Sequence, residues 1–424
     1  MGLLMIGAPV YLALSIVGLG GIALLLGPDK AMVTMMNQPF PYLAKFTLAL
    51  VPLFIMMGHF AFGAGISRNA YDIGRKWMSR FPASLGLATI VGCAGFAATC
   101  GSSVASAATM GTVAIPEMER FGYDRKFATG CVASGGLLGI MIPPSIPLVI
   151  YAIVTETSVG AQLVAGFLPG ILTAVVFMIG IIFLVRRDPK LAPPAMGYTW
   201  KERIISLMSG WGIVLLFMVV IGGMYAGVFT PSEAASWGAI VALIMMIGTK
   251  KDIRKKFVSA LSQTVRTTGM IFIIILAAWF YSLFLTLSGA SHAISNWVMG
   301  LNVAPIVIII IVLAIYLPLG MFLEPTSILV ITLPIFHPII VNQLGFNSIW
   351  FGILVVKMIE IGLITPPVGM NVFVIAGVAP HVPLEDIFKG ILPFVLFEIV
   401  TTGLLIAFPI ISLWLPQQMY ISAG

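Results

Sequence analysis

Gly139-Ile140-Met141-Ile142-Pro143-Pro144 is answered later in the chain by Gly362-Leu363-Ile364-Thr365-Pro366-Pro367, an offset of 223 positions (366 − 143). Each block interrupts a long apolar run with two adjacent prolines. Proline lacks a backbone donor and its ring clashes with the preceding turn, so both runs read as helices broken in mid-span. The same offset pairs Gly122 with Gly345 and Ser103 with Thr326. Gly166-Phe167-Leu168-Pro169 resembles Gly390-Ile391-Leu392-Pro393, slipped by one residue. The recurrence predicts two copies of one unit, each a helical hairpin, a broken helix and a return helix.

Composition supplies the solvent for such helices. Of 424 residues, 60% are hydrophobic and 9% charged, with a mean hydropathy of +1.10. A soluble domain carries about 25% charged residues, and a single soluble core stops growing at roughly 250–300 residues. The apolar surplus therefore belongs in lipid, as one polytopic all-α membrane domain. Membrane helices also accommodate the 44 Gly and 27 Pro. Cys93, Cys100 and Cys131 all lie in apolar stretches without a Cys-x-x-Cys pair, so they read as small buried hydrophobes rather than as zinc or redox ligands. The first apolar stretch, Leu3 to Leu26, has no basic leader and is too long for a signal core, so it reads as a retained span.

The net charge of +7 reads as membrane topology, with no nucleic-acid footprint. Lys and Arg gather at Arg68–Arg80, Arg120–Lys126, Arg186–Arg203 and Lys250–Arg266, with Lys389 near the end; only Lys30, Lys45 and Lys357 stand outside. The positive-inside rule makes these loops cytoplasmic. The chain then goes out over Leu3–Leu26 and back over about Leu43–Ile66. The stretch 81–118 lies between two basic loops and carries Gly101-Ser102-Ser103 near its middle, so it reads as a re-entrant hairpin. A broken helix over 127–155 crosses outward, and the chain returns by Arg186. Two crossings follow between Arg203 and Lys250, then one from about Gln263 to Ser288. A second hairpin over 303–342, with Glu324-Pro325-Thr326 at its tip, has uncharged flanks and should enter from outside. A broken helix over 348–379 and a last helix from Ile391 to Leu415 complete the chain. The N-terminus is thereby cytoplasmic and the C-terminus periplasmic. The repeat units span about 81–186 and 303–416, inverted about an axis in the membrane plane, with scaffold helices over about 3–66 and 204–288.

A proline break frees carbonyls that would cost several kcal/mol each in hydrocarbon, so they must line an enclosed cavity. Opposed half-helix ends add partial charges of about half an electron. Beside hairpin tips rich in Gly, Ser and Thr, such oxygens suit Na⁺, and the hydroxyls and N–H groups suit a carboxylate. Two units predict at least two Na⁺ sites. The first would combine Gly101, Ser102, Ser103 and Ser106 with Pro143, Pro144 and Ser145; the second would combine Glu324, Pro325 and Thr326 with Thr365, Gly369, Met370 and Asn371. Glu324 is the only acid between Arg266 and Glu360, and an intramembrane acid is a functional candidate. Glu360, Glu398, His59 and His337 receive no role from the sequence.

Gly101-Ser102-Ser103-Val104-Ala105, Ile142-Pro143-Pro144-Ser145-Ile146-Pro147, Glu324-Pro325-Thr326 and Ile364-Thr365-Pro366-Pro367-Val368-Gly369-Met370-Asn371 together resemble the large membrane subunit of tripartite ATP-independent periplasmic (TRAP) transporters. Phe229-Thr230-Pro231-Ser232-Glu233-Ala234 strengthens the resemblance, which runs over essentially the whole chain. It implies an inverted-repeat elevator fold in a bacterial inner membrane and coupling to Na⁺. It also implies an organic-acid cargo delivered by a periplasmic binding protein, and a small four-helix membrane subunit as partner. Substrate contacts carry over onto Ser103, Ser145 and Glu324. A stand-alone carboxylate carrier with inverted hairpins is the alternative within transport. A membrane enzyme would need a motif such as His-Glu-x-x-His or Gly-x-Ser-x-Gly, which the chain lacks, and no Gly-Lys-Ser/Thr loop points to ATP as the drive.

Overall fold

Asp124 starts the first broken helix. Its carboxylate accepts from the Phe127 amide at 2.9 Å and caps Arg125–Gly135. A short helix, Leu138–Met141, extends the run to the two prolines. Ser145 then caps a new helix, Ile146–Val154, by accepting from the Leu148 amide at 3.3 Å. The second broken helix repeats this local chemistry at the same offset. Asn347 accepts from the Trp350 amide at 3.1 Å and caps Ser348–Ile364, and the chain resumes as Met370–Val378. Both Pro143-Pro144 and Pro366-Pro367 are cis, and Gly122 and Gly345 share a left-handed backbone before each cap.

A helical hairpin precedes each broken helix. In the first, Gly101 at φ +67° ends Ser84–Cys100, and the Ser102 hydroxyl accepts from the Ala105 amide to cap Ser103–Arg120. The arms are antiparallel, since the Leu85 amide donates to the Tyr123 hydroxyl at 3.0 Å while Thr89 meets the Met118 sulfur. In the second, Pro305–Phe322 turns at Leu323-Glu324 into Pro325–His337, which continues as a π-helical turn over Pro338–Gln343. Tyr316 packs on Phe336 across its arms, ring centres 6.0 Å apart. Return helices Val159–Arg187 and Leu384–Ala407 follow. The closing helix expected from Ile391 to Leu415 is two helices, Leu384–Ala407 and Ile410–Ile421. Pro409 cannot donate to the helix and disfavours helical geometry at Phe408.

This computed structural model describes residues 8–193, 197–250, 252–300 and 303–421. Residues 3–7 of the expected first span and Lys251 of the fourth basic cluster lie outside them. The described residues are helical and contain no strand. Eight of their helices are long and apolar enough to cross a membrane, or nine if Trp200–Ser209 and Trp211–Tyr225, bent by 46°, count as one span. Both arms of the second hairpin are among the eight.

Burial orders these helices into layers. The apolar window of Arg125–Val154 is 83% buried, whereas that of Leu384–Ala407 is 33% buried. Broken helices therefore form the core, and outer helices offer leucine and isoleucine, such as Leu24, Ile179 and Ile244, to hydrocarbon. The chain is a multi-pass membrane protein.

Candidate functional site

Each hairpin tip is stitched to the break of its own unit. The Gly101 carbonyl accepts from the Ile146 amide at 3.2 Å, just past the first break. A side chain at Gly101 would sit 2.8 Å from the Pro144 carbonyl, so only glycine satisfies both the left-handed turn and this approach. In the second unit the Gly369 amide donates to the Met321 carbonyl at 3.3 Å. Backbone touches backbone at Gly320 and Gly362 as well, where an added Cβ on Gly320 would lie 2.9 Å from the Gly362 Cα.

The two tips meet in one cavity of about 540 Å³. Gly101, Ser102 and Ser103 line it from the first hairpin, and Glu324, Pro325 and Thr326 from the second. Met370 reaches it from the second break. At the second tip the Thr326 hydroxyl donates to Glu324 at 2.8 Å, and the Ser327 amide donates to the other carboxylate oxygen at 3.2 Å. Glu324 therefore caps its helix while facing the cavity. Hydroxyls, backbone carbonyls and one carboxylate are the oxygens collected here. Among the described residues no three His, Cys, Asp or Glu side chains are placed to hold a metal ion.

Seven of the residues expected at the site, Pro143 among them, are not part of this lining. The Pro144 carbonyl packs on Gly101, and Ser106 packs on Gly139. The Ser145 hydroxyl donates to the Ile140 carbonyl at 2.5 Å while capping the next helix, which spans the break with a local bond. The Thr365 hydroxyl donates to the Ile361 carbonyl at 2.6 Å, within the helix that ends at the second break. Gly369 binds Met321, and Asn371 donates to the Ala133 carbonyl of the first broken helix at 3.2 Å, its own oxygen buried without a partner.

The opposite wall comes from helices read only as scaffold. Leu50–Gly63 contributes His59 and Phe62, and Ile253–Leu287 contributes Gln263 and Thr267. Gly58 lets the first of these helices approach the Thr99 and Cys100 carbonyls, at 3.1 and 3.2 Å from an added Cβ. Gln263 and Thr267 are four apart and so share a helix face. Their four-residue spacing within the polar stretch Ser262–Thr268 was the available signal. His59, Phe62, Thr109 and Gln263 also line a second hollow of about 510 Å³, where Arg68, Lys255 and Lys256 outnumber Asp252. The central cavity thus continues into a basic vestibule at the end of the molecule where Lys and Arg collect.

Comparison with known proteins bears on what this cavity serves. The family model described as "Tripartite ATP-independent periplasmic transporter, DctM component" matches residues 1–411. The Pseudomonas aeruginosa protein named C4-dicarboxylate TRAP transporter large permease protein DctM is 36% identical over 406 residues, covering 95% of this chain and 94% of its own. The Vibrio cholerae protein named sialic acid TRAP transporter large permease protein SiaM is 28% identical, covering 98% and 96% respectively. In fold, the crystal structure of the Alcanivorax borkumensis YdaH transporter is similar at a TM-score of 0.66, over 94% of this chain and 96% of that one, at 13% identity.

Proposed function

The chain belongs to the DctM component family of tripartite ATP-independent periplasmic transporters, and from that premise we propose that it imports an organic acid with Na⁺ by moving its hairpins and broken helices as one body. The observation that carries the proposal is the single cavity at which both hairpin tips converge beside the two breaks. The order of elements recurs with matching caps at Asp124 and Asn347, which supports two units descended from one. The loop after the first hairpin carries Arg120, Arg125 and Lys126 while the loop after the second, 343–347, carries no charge, which supports inversion between them and a re-entrant fold for each hairpin. The N-terminus then lies in the cytoplasm, the C-terminus in the periplasm, and the whole in an inner membrane.

Na⁺ is carried with the acid as cargo. One ion is held by Gly101, Ser102, Ser103 and Ser106 with Pro144 and Ser145; the other by Pro325 and Thr326 with Thr365, Gly369, Met370 and Asn371. The acid lies between them, against Ser103, Ser145 and Glu324. Ser145 bonds locally across its break and Thr365 bonds back into the helix before its own, and each hydroxyl, spending only its proton on a carbonyl, keeps a lone pair to offer an ion. With two Na⁺ per monoanion, one net charge enters per cycle, worth about 2.3 kcal/mol per 100 mV. The basic vestibule supports release of an anion on the cytoplasmic side.

The relatives' names supply the cargo class, C4-dicarboxylate or sialic acid. The expected partners are a periplasmic substrate-binding protein and a small membrane subunit. The test is uptake of labelled organic acids into proteoliposomes holding this chain and its small subunit, with and without inward Na⁺ and the binding protein. Uptake requiring both is expected. Uptake indifferent to the binding protein would favour a stand-alone carrier, and no uptake by folded protein would overturn transport.

A further inference from the structure

Three ionisable side chains lie sealed in the core, away from the cavity. Lys357 and Glu360 sit on the second broken helix and Glu398 on the second return helix, with exposures of 0%, 1% and 0%. The Lys357 ammonium donates to Glu360 Oε2 at 2.8 Å and to the Thr173 hydroxyl at 2.8 Å, and it pairs with Glu398 Oε2 at 2.5 Å. Thr173 spends its own proton on the Pro169 carbonyl, at 2.8 Å. Glu360 Oε1 and Glu398 Oε1 are buried with no hydrogen-bond partner.

The count of charge does not close. One ammonium faces two carboxyls, and no further donor reaches the spare oxygens. An uncompensated charge in such a place costs several kcal/mol even after relaxation. Among the described residues the surrounding elements supply no second cation. Tyr151 donates to the Ser348 carbonyl, and Tyr316 lies on the second hairpin. Lys126 pairs with Asp386 at 3.2 Å, and Lys389 stands 3.9 Å from the same aspartate. Arg125 turns to Glu119, and His337 bonds the Ser348 hydroxyl. Glu385 begins the second return helix, and Arg186 and Arg187 end the first.

We propose that Lys357, Glu360 and Glu398 form a proton-binding site, in which one proton held between the two carboxyls leaves the cluster neutral. The proton belongs to the pair, since two acids this tightly joined titrate together. All three side chains are closed off from solvent in this structure. The cluster ties the second broken helix to both return helices, so any movement that parts them lets the proton exchange. External pH then acts on that movement, separately from Na⁺ and cargo.

The test needs no transport, so its failure is distinct from failure of the carrier reading. Purified full-length protein is melted between about pH 6 and 9. The native cluster holds a proton that an unfolded carboxyl has released, so native protein binds more protons and its stability falls as pH rises. Relative to Glu360→Gln and Glu398→Gln, each of which leaves one Lys and one Glu, the wild type should lose about 2 °C per pH unit. The Gln variants should melt near the wild-type temperature at the acid end. A wild type with no such slope, or Gln variants that keep it, overturns the proposal. Should a Gln variant fail to fold, infrared spectra of the Glu324→Gln protein, which lacks the other acid of this region, give a second reading. A neutral carboxylic acid band near neutral pH, shifting slowly in deuterated water, is expected, and its absence overturns the proposal.

Discussion

Glu324 carries two duties on one carboxylate. One oxygen accepts from the Thr326 hydroxyl, the other from the Ser327 amide that starts the helix, and the same group faces the cavity. The duties separate by substitution. Glu324→Gln keeps an oxygen for the cap but removes the charge, so the melting temperature should hold while the Na⁺ concentration for half-maximal uptake rises about tenfold, on the scale of a charge-assisted hydrogen bond. Glu324→Ala should also lose the cap, about 1 kcal/mol of stability. Na⁺ titrations and thermal melts on both variants check this; equal uptake in wild type and Glu324→Gln would remove the carboxylate from the site. At this scale Glu324 was legible as an isolated acid in an apolar run, and the structure sets it on the cavity wall. It could not pair Lys357 with Thr173, 184 residues away, since no local pattern encodes that contact. Glu360 and Glu398 therefore stayed without a role until their shared cation came into view.

Among elements, the informative comparison is between single and paired prolines. Pro169 and Pro393 lie inside Val159–Arg187 and Leu384–Ala407 without ending them. Pro143-Pro144 and Pro366-Pro367 do end helices, because two missing donors in sequence leave no turn to bridge the gap. Paired prolines were thus legible as breaks. Pro409 shows the limit, since a lone proline splits the final apolar run where its neighbours elsewhere only bend theirs. Contact between hairpin and broken helix depends on Gly320 and Gly362, whose backbones leave no room for a side chain. Gly362→Ala should force these two elements apart and cost about 1–3 kcal/mol, the usual toll of overpacking. A lowered melting temperature with a proportionate fall in uptake is the expected result. An unchanged melting temperature would mean the seam is loose.

At the scale of the whole molecule, the basic clusters are what the sequence offers on which side of the membrane each loop faces. What charge could not reveal is that helices outside the repeats wall the cavity through His59, Gln263 and Thr267. Apolar runs of similar hydropathy carry no label for which face meets lipid and which meets cargo. Orientation itself is open to a direct check in a cysteine-free background, with Cys93, Cys100 and Cys131 replaced. Arg254→Cys and Asn342→Cys are both at exposed positions. An impermeant maleimide should label the first only in inverted vesicles and the second only in intact spheroplasts. Labelling of both from one side would reverse the inversion of the units.

Gly130 and Gly390 touch so closely that a methyl on either would strike the other strand of backbone, at Gly390 or at Lys126. The ribosome makes Gly390 about 260 residues after Gly130, and at about 5–20 residues per second that is roughly 13–50 s. For that interval the first broken helix waits in the membrane with an unfilled seam, exposed to quality-control proteases. A chain truncated after Pro383 should therefore be degraded in pulse–chase faster than one truncated after Phe408, and equal lifetimes would show that the waiting helix is protected by something else.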